Sequence, residues 1–319
     1  MKKKIAAAGI ALFAVLSNAY ILKNVYSGEN SLLTQLFLCF MVDGVCVLGI
    51  FNTETLFRVP LDIYRDKGMF WVLVKNDFQA RFAGSYFGIF WAFVQPLITV
   101  LLYWFVFQVG LRAGSVSDHP FILFLISGLI PWFYFSEICN GGTNCLIEYS
   151  YLVKKIVFNV GILPVLKVVS GLFVHVFFIF IAVVVCTVYG YTPDFYTLQL
   201  AYYIVCCAFL ALGIAYITSC LTAFFRDMAQ VVNILLTIGI WVTPIMWNPA
   251  VTLPETLYKF FKLNPMYYVV DGFRDCMLSK IWFWEKPLWT VYFWCVSVLL
   301  YIFGVKMFNR LKIHFSDVL

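Results

Sequence analysis

The sequence predicts an all-α polytopic membrane protein. Of its 319 residues, 63% are hydrophobic and 12% are charged, whereas an average soluble domain is roughly 45–50% apolar and about 25% charged. The excess apolar residues lie in blocks of about 20, the helix length that crosses about 30 Å of hydrocarbon. The blocks lack the alternating pattern of β-strands, and helices satisfy their own backbone hydrogen bonds in lipid.

Eight apolar segments are candidate membrane spans. They are Ile5–Leu22, Leu32–Phe51, Ile89–Val109, Phe121–Cys139, Leu163–Tyr189, Leu198–Phe224, Met228–Trp247 and Leu288–Phe308. With the N-terminus in the cytoplasm, eight crossings place 15 of the 22 Lys and Arg residues on the cytoplasmic side and seven outside. This asymmetry follows the positive-inside rule and predicts that both termini are cytoplasmic.

The N-terminal segment has a second interpretation. Three lysines at 2–4, a short apolar run and Ser17–Ala19 also resemble a secretory signal peptide. Cleavage after Ala19 would leave the topology of the remaining spans unchanged. We favour an uncleaved span.

Composition argues against several classes of function. The net charge of +6 comes from basic residues at the ends of apolar blocks, not from one patch for nucleic acid. The ten cysteines show no metal-binding spacing, and most lie in apolar blocks, where Cys behaves as a small hydrophobe. The sequence contains no GxxxxGK[ST] phosphate loop and no HExxH motif. If the protein uses ATP, another chain must bind it.

Two stretches predicted on the cytoplasmic side combine apolar and charged residues. In Met69–Tyr86, Phe70, Leu73, Val74, Phe78 and Phe82 follow helical spacing, with Lys75, Asp77, Gln79 and Arg81 elsewhere. This predicts an amphipathic helix on the inner membrane surface, serving either as a connector or as a collar against a partner. The stretch Asn144–Pro164, basic at residues 154–155, is either an ordinary loop or a short helix that docks into a partner.

A tight turn separates two later spans at Phe225-Arg226-Asp227. We expect Asp227 to cap the following helix, with Gln230 completing a capping box. Arg226 would anchor the cytoplasmic side, and a contact with a partner is the alternative.

The stretch Thr243–Pro287 is too polar and too rich in proline to span the membrane, yet too apolar for a plain loop. Two short helices that dip into the outer leaflet fit it better, because broken helices are tolerated where they line a cavity. An aromatic interfacial belt is the alternative.

Aromatic residues make up 20% of the chain and cluster at Tyr103–Phe107 and Pro131–Phe135. Aromatic rings stack on the apolar faces of sugars, which suits a glycan pathway, although interfacial anchoring explains many of them equally well. Two ionisable groups, Asp43 and His175, lie near the middle of spans, where neutral or paired states are expected. His175 lies eight residues after Lys167 on one helix face, so a proton relay is one interpretation and a hydrogen-bonded structural histidine the other.

Taken in order, these motifs resemble the permease subunit of ABC-type polysaccharide exporters, the O-antigen and teichoic-acid export family. The residues that carry the resemblance are Arg81, Gly84–Trp91, Gln95-Pro96, Tyr103–Phe107, Gly128–Phe133, Leu152–Phe158, Ile162–Pro164, Phe225–Asp227, Thr243–Ile245, Asn264–Tyr268, Gly272–Arg274 and Phe315–Leu319. The resemblance runs from about Tyr64 to the C-terminus. Family members usually have a proline and a charged residue where this chain has Asn159-Val160, and the first two spans lie outside the usual six-span unit.

The resemblance implies three parts: two extra spans (1–57), a cytoplasmic interface helix (58–87) and a six-span permease unit (88–319). It implies a homodimer above two ABC ATPase subunits in the cytoplasmic membrane. ATP and magnesium would bind to the ATPase, and this chain would carry no cofactor and no catalytic site. The substrate would be a glycan linked to polyprenyl pyrophosphate.

The resemblance also assigns candidate residues to three roles. It implies a coupling helix within Asn144–Phe158 and outer gate helices within Asn248–Lys286. The ATPase-coupling candidates are Tyr151, Leu152, Lys154, Lys155, Arg226 and Asp227. The outer gate candidates are Pro244, Trp247, Asn264, Pro265, Tyr267, Tyr268 and Arg274. The substrate-pathway candidates are the aromatic residues Tyr103, Trp104, Phe107, Trp132 and Tyr134, with Arg81 and Lys75 to receive the pyrophosphate.

Three other functions stay open from the sequence. An ABC exporter of a drug or lipid would share the fold. A proton-coupled transporter would use Asp43 and His175. A membrane-embedded glycan-processing enzyme would need a cluster of catalytic side chains that the sequence does not suggest.

Overall fold

The computed structural model describes residues 2–23, 32–81, 84, 86–112, 114, 119–154 and 159–319. Within these ranges all regular secondary structure is helical, as the sequence predicts. The α-helices in chain order are α1 (Lys2–Lys23), α2 (Leu32–Phe51), α3 (Thr53–Arg65), α4 (Lys67–Ala80), α5 (Trp91–Trp104), α6 (Phe121–Glu148), α7 (Ser150–Val153), α8 (Leu163–Val188), α9 (Gln199–Phe224), α10 (Met228–Val242), α11 (Pro249–Thr252), α12 (Glu255–Phe261), α13 (Pro265–Arg274), α14 (Pro287–Leu311) and α15 (Phe315–Val318).

Five helical segments of the described chain are long and apolar enough to cross a membrane. They are Gly88–Gly110, Phe121–Glu148, Val160–Val188, Phe195–Phe224 and Pro287–Val318. A sixth arises if Leu38–Phe51 and Thr53–Arg65, bent by 62°, form one span, while Ala6–Ala19 and α10 are shorter apolar helices. Each of the eight apolar segments thus contains a helix, and the number that cross the bilayer stays a prediction.

The core of the bundle is built around α6 and α9. Helix α6 contacts α5, α8, α9, α10 and α13, and α9 also packs against α14. Small residues bring the helices close: a Cβ atom on Gly142 would lie 2.5 Å from the Cβ of Ala215, and one on Gly304 would lie 2.8 Å from the Gly213 carbonyl oxygen. In lipid, where tails are as apolar as leucine, such close packing drives helix association.

The N-terminal helices form a hairpin at the side of this core. Helix α2 packs against both α1 and α14. The buried face of the hairpin includes Ile21, Leu38, Val42 and Cys46. The extra helices therefore contact the permease unit mainly through α14.

Two predicted helix ends were wrong. Helix α6 continues past Cys139 to Glu148, because its last turns remain packed in the bundle. Helix α10 ends at Val242 rather than Trp247. Proline disfavours helical backbone at the residue before it, and Thr243, which precedes Pro244, is extended with ψ of 125°.

The stretch 58–87, expected as one interface helix, is divided. Helices α3 and α4 meet at Asp66, and the chain from Arg81 to Phe87 forms turns where it is described. Helix α4 packs against α8. The predicted amphipathic helix therefore corresponds to α4 alone.

Candidate functional site

Helix α4 lies against α8 with one face buried. Phe70 and Val74 pack with Ile162 and Leu166, Leu73 and Phe78 are half-buried, and Phe82 lies outside the described residues. Asp77 is on the same buried face and is 2% exposed. We expected Asp77 to lie away from the apolar face of this helix, and this was wrong. Positions 70, 74, 77 and 81 follow helical spacing, a signal that the sequence already contained.

The Asp77 carboxylate accepts four hydrogen bonds. Its Oδ1 accepts from Lys167 Nζ at 2.6 Å and from the Tyr149 hydroxyl at 2.7 Å. Its Oδ2 accepts from Ser170 Oγ at 2.6 Å and from Arg81 Nη2 at 3.0 Å. Because burial of an unpaired charge is costly, this set of donors is what stabilises an ionised aspartate here.

The contacts extend into a wider charge network. Lys167 also donates to Glu148 Oε2 at 2.5 Å, and Arg81 donates to Glu137. We call Asp77, Arg81, Glu137, Glu148 and Lys167 the buried ion cluster. It connects α4, the C-terminal half of α6 and the start of α8.

Electrostatics within the cluster favours charged side chains on α4. Burial opposes the ionisation of Asp77, but the Lys167 ammonium and the hydrogen bonds from Lys167, Ser170 and Tyr149 outweigh it, so the pKa of Asp77 lies below its ordinary value. Burial likewise opposes the charge on Arg81, but Glu137 and Asp77 raise the pKa of Arg81 above its ordinary value. Both groups are therefore ionised at neutral pH, and Asp77 and Arg81 form a true ion pair.

These contacts change the interpretation of three predicted residues. Arg81 already has two carboxylate partners, so it is not a free receiver of pyrophosphate in this structure, whereas Lys75 is exposed on α4. Lys167 belongs to the ion cluster, while the His175 ring stacks on Tyr134 at 4.3 Å. No hydrogen bond or ring contact within the described chain joins His175 to Lys167, so the structure gives no support to the interpretation of these two residues as a relay.

The coupling candidates lie at the same end of the bundle as α3, α15 and the start of α8. Residues Asn144–Glu148 belong to α6. Among the described residues that follow, Ser150–Val153 form the one-turn helix α7. Tyr151 is 57% exposed, Lys154 is exposed and Leu152 is half-buried, and Val153 is buried against the core. Lys155 lies outside the described residues.

The turn between α9 and α10 lies at this end too. Arg226 and Asp227 are exposed. Asp227 precedes α10 without a side-chain capping bond, so the expected capping box was wrong. The buried core beneath includes Ala223 and Phe315, which brings the turn close to α15.

The aromatic pathway candidates separate into two groups. On α5 and its π-helical continuation Phe105–Gly110, Tyr103, Trp104 and Phe107 are half-buried against the core. On α6, Trp132 and Tyr134 are buried in that core, Tyr134 being 1% exposed. The Tyr134 hydroxyl donates to the Val168 carbonyl at 3.1 Å, and Tyr134 also lines a cavity between α5, α6 and α8. The assignment of Trp132 and Tyr134 to a substrate pathway stays a prediction.

A cavity of about 310 Å³ lies between α5, α6 and α8. Its polar lining includes Gln95, Glu137 and His175, with Trp91 at its edge. The His175 Nε2 atom is buried without a hydrogen-bond partner in the described residues. The cavity therefore joins the ion cluster to the middle of the bundle.

The predicted gate segment contains three short helices, α11, α12 and α13, rather than two. Pro265 begins α13, and Asn264 Oδ1 accepts from the Met266 amide at 3.0 Å while Nδ2 donates to Thr243 Oγ1 at 2.9 Å. Tyr267 is buried. Helix α13 packs against α6, α9 and α14.

Arg274, one of the outer gate candidates, is buried. Its guanidinium lies 3.5 Å from the centroid of the Phe124 ring and donates to the Ile245 carbonyl at 2.8 Å. Pro244 is buried beside it. Arg274 thus ties the end of α13 to α6 and to the turn after α10.

Two further gate candidates are tied to neighbouring helices. Tyr268 shares hydrogen bonds with Tyr202 at 3.1 Å and with Thr290 at 2.9 Å. The Trp247 ring packs on Phe261 at a centroid distance of 5.3 Å. Helix α13 is therefore anchored on α9 and α14, and Trp247 packs on α12 within the segment.

No group of His, Cys, Asp and Glu in the described ranges has the geometry of a metal site. All ten cysteines lie in described helices and carry free thiols. Sequence reasoning missed Glu148 and Glu137 as functional candidates, since their partners come from helices far away in the chain. The arrangement suits mechanical coupling between helices.

Comparison with known proteins agrees with this arrangement. Residues 69–278 match the family described as ABC-2 type transporter. The chain is 27% identical over 261 residues to the O-antigen export system permease protein RfbA of Myxococcus xanthus, covering 82% of this chain and 98% of that protein. It is 26% identical over 249 residues to RfbA of Klebsiella pneumoniae, covering 78% and 93%.

A more distant relative is named as a transport protein. The polysialic acid transport protein KpsM of Escherichia coli is 24% identical over 210 residues, covering 65% of this chain and 80% of that protein. The family match runs from α4 to the turn that follows α13, and the first two helices lie outside it. These matches confirm the resemblance, and the chain belongs to the ABC-2 type transporter family.

Proposed function

We propose that this chain is the permease subunit of an ATP-driven exporter of a cell-surface polysaccharide linked to polyprenyl pyrophosphate. The observation that carries the proposal is the match along 98% of the Myxococcus xanthus O-antigen export permease. The transporter would be a homodimer of this chain with two ABC ATPase subunits in the cytoplasmic membrane. Both termini would be cytoplasmic.

The coupling end of the bundle supports docking of an ATPase. Helix α7 carries exposed Tyr151 and Lys154 on a short turn whose Val153 is anchored in the core. Arg226 and Asp227 add exposed charges at the same end. An exposed aromatic and basic pair, held in place by a buried neighbour, is suited to binding in a cleft of a soluble partner.

The buried ion cluster supports transmission of movement from that contact. Glu148 is near the end of α6, two residues before α7, and it pairs with Lys167 of α8, which pairs with Asp77 of α4. A displacement of α7 would therefore move three elements together. ATP could drive transport only if the ATPase had different affinities for ATP in two arrangements of these helices.

The substrate would pass along the α5 side of the bundle at the interface between two copies. Tyr103, Trp104 and Phe107 lie on this side, and α5 also presents exposed Leu101, Phe105 and other apolar residues. Aromatic faces suit weak and repeated contacts with sugars. Lys75, exposed on α4, would meet the pyrophosphate at the inner side.

The test is reconstitution of this chain with its ATPase in liposomes. Translocation of a polyprenyl-pyrophosphate oligosaccharide is measured with ATP, and with an ATPase variant that binds but does not hydrolyse ATP as the control. The proposal expects translocation only in the first case. Equal rates for a glycan-free polyprenyl phosphate or for an amphiphilic drug would instead indicate a lipid or drug exporter.

A further inference from the structure

The outward face of α2 is a stripe of exposed residues that no other helix covers in the described chain. Leu36, Phe40 and Val47 are 51%, 72% and 48% exposed, and Asp43 between them is exposed as well. Positions 36, 40, 43 and 47 are separated by four, three and four residues, the alternation found in helix pairs that pack at about 20°. The opposite face of α2, with Leu38, Val42 and Cys46, is the one buried in the hairpin.

Asp43 is unusual for a residue that faces lipid. It is the twelfth residue of the 20-residue α2, which places it about 17 Å along the helix, near the middle of a hydrocarbon core of about 30 Å. A charged side chain at that depth costs about 2.5–3.5 kcal/mol or more and is rare outside bundle interiors and water-filled cavities. An exposed carboxylate here therefore indicates a missing partner.

Within the hairpin, Asp43 has one neutral partner. Asn18 Nδ2 donates to Asp43 Oδ1 at 2.8 Å. Among the described residues, Asn18 is the one hydrogen-bond partner of Asp43, and no basic side chain pairs with it. The Asn18 amide orients the carboxyl group but supplies no counter-charge.

We propose that the outward face of α2 binds a transmembrane helix of another protein, which carries an arginine or lysine at the depth of Asp43. Charge complementarity selects this occupant, because a cation in lipid needs the same compensation as the carboxylate. A second copy across a two-fold axis would set Asp43 against Asp43, two like charges. Gly44, where an added Cβ would meet nothing within 4 Å, leaves room for close approach.

The position of α2 gives this surface a separate role. The hairpin lies outside residues 69–278, the part that matches the transporter family. It is attached through α14 and leaves the α5 side of the bundle uncovered. The extra helices thus form a platform that recruits a membrane partner, and this inference does not depend on the exported substrate.

The probe is a synthetic leucine–alanine transmembrane peptide of about 23 residues. It carries one central arginine with a photoreactive residue beside it, and matched peptides carry leucine or glutamate in the central position. The peptides are added to liposomes that contain the full-length chain. Cross-links to the chain are located by mass spectrometry.

The arginine peptide should cross-link to α2 about five- to thirty-fold more than the leucine peptide, as expected for one interhelical polar contact in a membrane. Asp43→Asn should reduce this to the level of the leucine peptide, whereas Asp317→Asn, on the exposed C-terminal helix, should not. Equal cross-linking of all three peptides to the wild-type chain would overturn the proposal, even if a variant failed to fold. So would dominant links between the α2 helices of two copies without peptide, which would assign the face to a second copy.

Discussion

Lys167 on α8 and Asp77 on α4 form a buried ion pair of 2.6 Å between residues that are 90 positions apart in the chain. Their side chains are 6% and 2% exposed. This pair holds the helix before the permease unit against the helix that follows α7. It is the contact through which we expect movement at α7 to reach α4.

The first prediction concerns this pair. Asp77→Ala leaves the Lys167 ammonium with only Glu148, and Lys167→Met leaves Asp77 without its main cation, so each should lower the free energy of unfolding by about 3–5 kcal/mol. The double variant should lose clearly less than the sum of the two. Thermal unfolding of the purified protein in detergent measures all three, and simple additivity would contradict the assigned pairing.

The second prediction is a dependence on acid. The pKa of Asp77 is lowered in the folded protein from the ordinary value of 3.8. Its contribution to stability is therefore complete at neutral pH and is lost as the pH falls below about 3.8 towards the folded pKa. Asp77→Asn should be less stable than the wild type at pH 7, and the difference should shrink below pH 4. A constant difference in unfolding temperature across that range would exclude Asp77 as its source.

The third prediction tests α7. Tyr151→Ala combined with Lys154→Ala should lower glycan transport and transport-coupled ATP hydrolysis on the order of tenfold, the equivalent of about 1.4 kcal/mol of lost contact. Unfolding temperature should stay unchanged because both side chains are exposed. Tyr189→Ala with Arg112→Ala, also exposed but at or just beyond the predicted outer ends of two spans, is the matched control. Normal coupling in the α7 variant would remove α7 from the ATPase contact.

The fourth prediction concerns a glycine in the gate segment. A Cβ atom on Gly272 would lie 2.0 Å from Cε1 of the buried Tyr203 ring, so Gly272→Ala should destabilise the protein by about 1–3 kcal/mol or more. Removing the ring with Tyr203→Leu should restore part of this loss. Gly68→Ala, where nothing lies within 4 Å of the new atom, should be neutral or slightly stabilising. The yield of monodisperse protein and its unfolding temperature decide the comparison.

The helices could be predicted well from the sequence, but several of their ends could not. Apolar blocks such as Phe121–Cys139 mark where lipid demands a helix, because the backbone must bond to itself there. The continuation of α6 to Glu148 depends on packing against α9, where Gly142 meets Ala215. The local sequence around Gly142 cannot predict that contact, because its partner belongs to another helix.

The candidate site shows the same division. The motifs around Tyr151 and Arg226 mark two segments that the structure brings to the same end of the bundle, and the motif around Asn264 marks the start of α13. The pairing of Arg81 with Glu137 and the packing of Arg274 against Phe124 were not predicted, because each joins residues more than 50 positions apart. The local sequence does not show whether a charged side chain is solvent-exposed or paired with a distant residue inside the bundle.

The sequence by itself determined that this protein is a helical membrane protein that resembles the polysaccharide permeases, because the lengths of apolar segments and the order of local motifs can be read directly from the chain. Only the tertiary structure decided which charges are paired. It placed Asp77, Lys167 and Glu148 together inside the bundle and left Asp43 on its surface. The physical reason is that hydrophobic burial depends on local composition, whereas compensation of a charge depends on which distant helices meet.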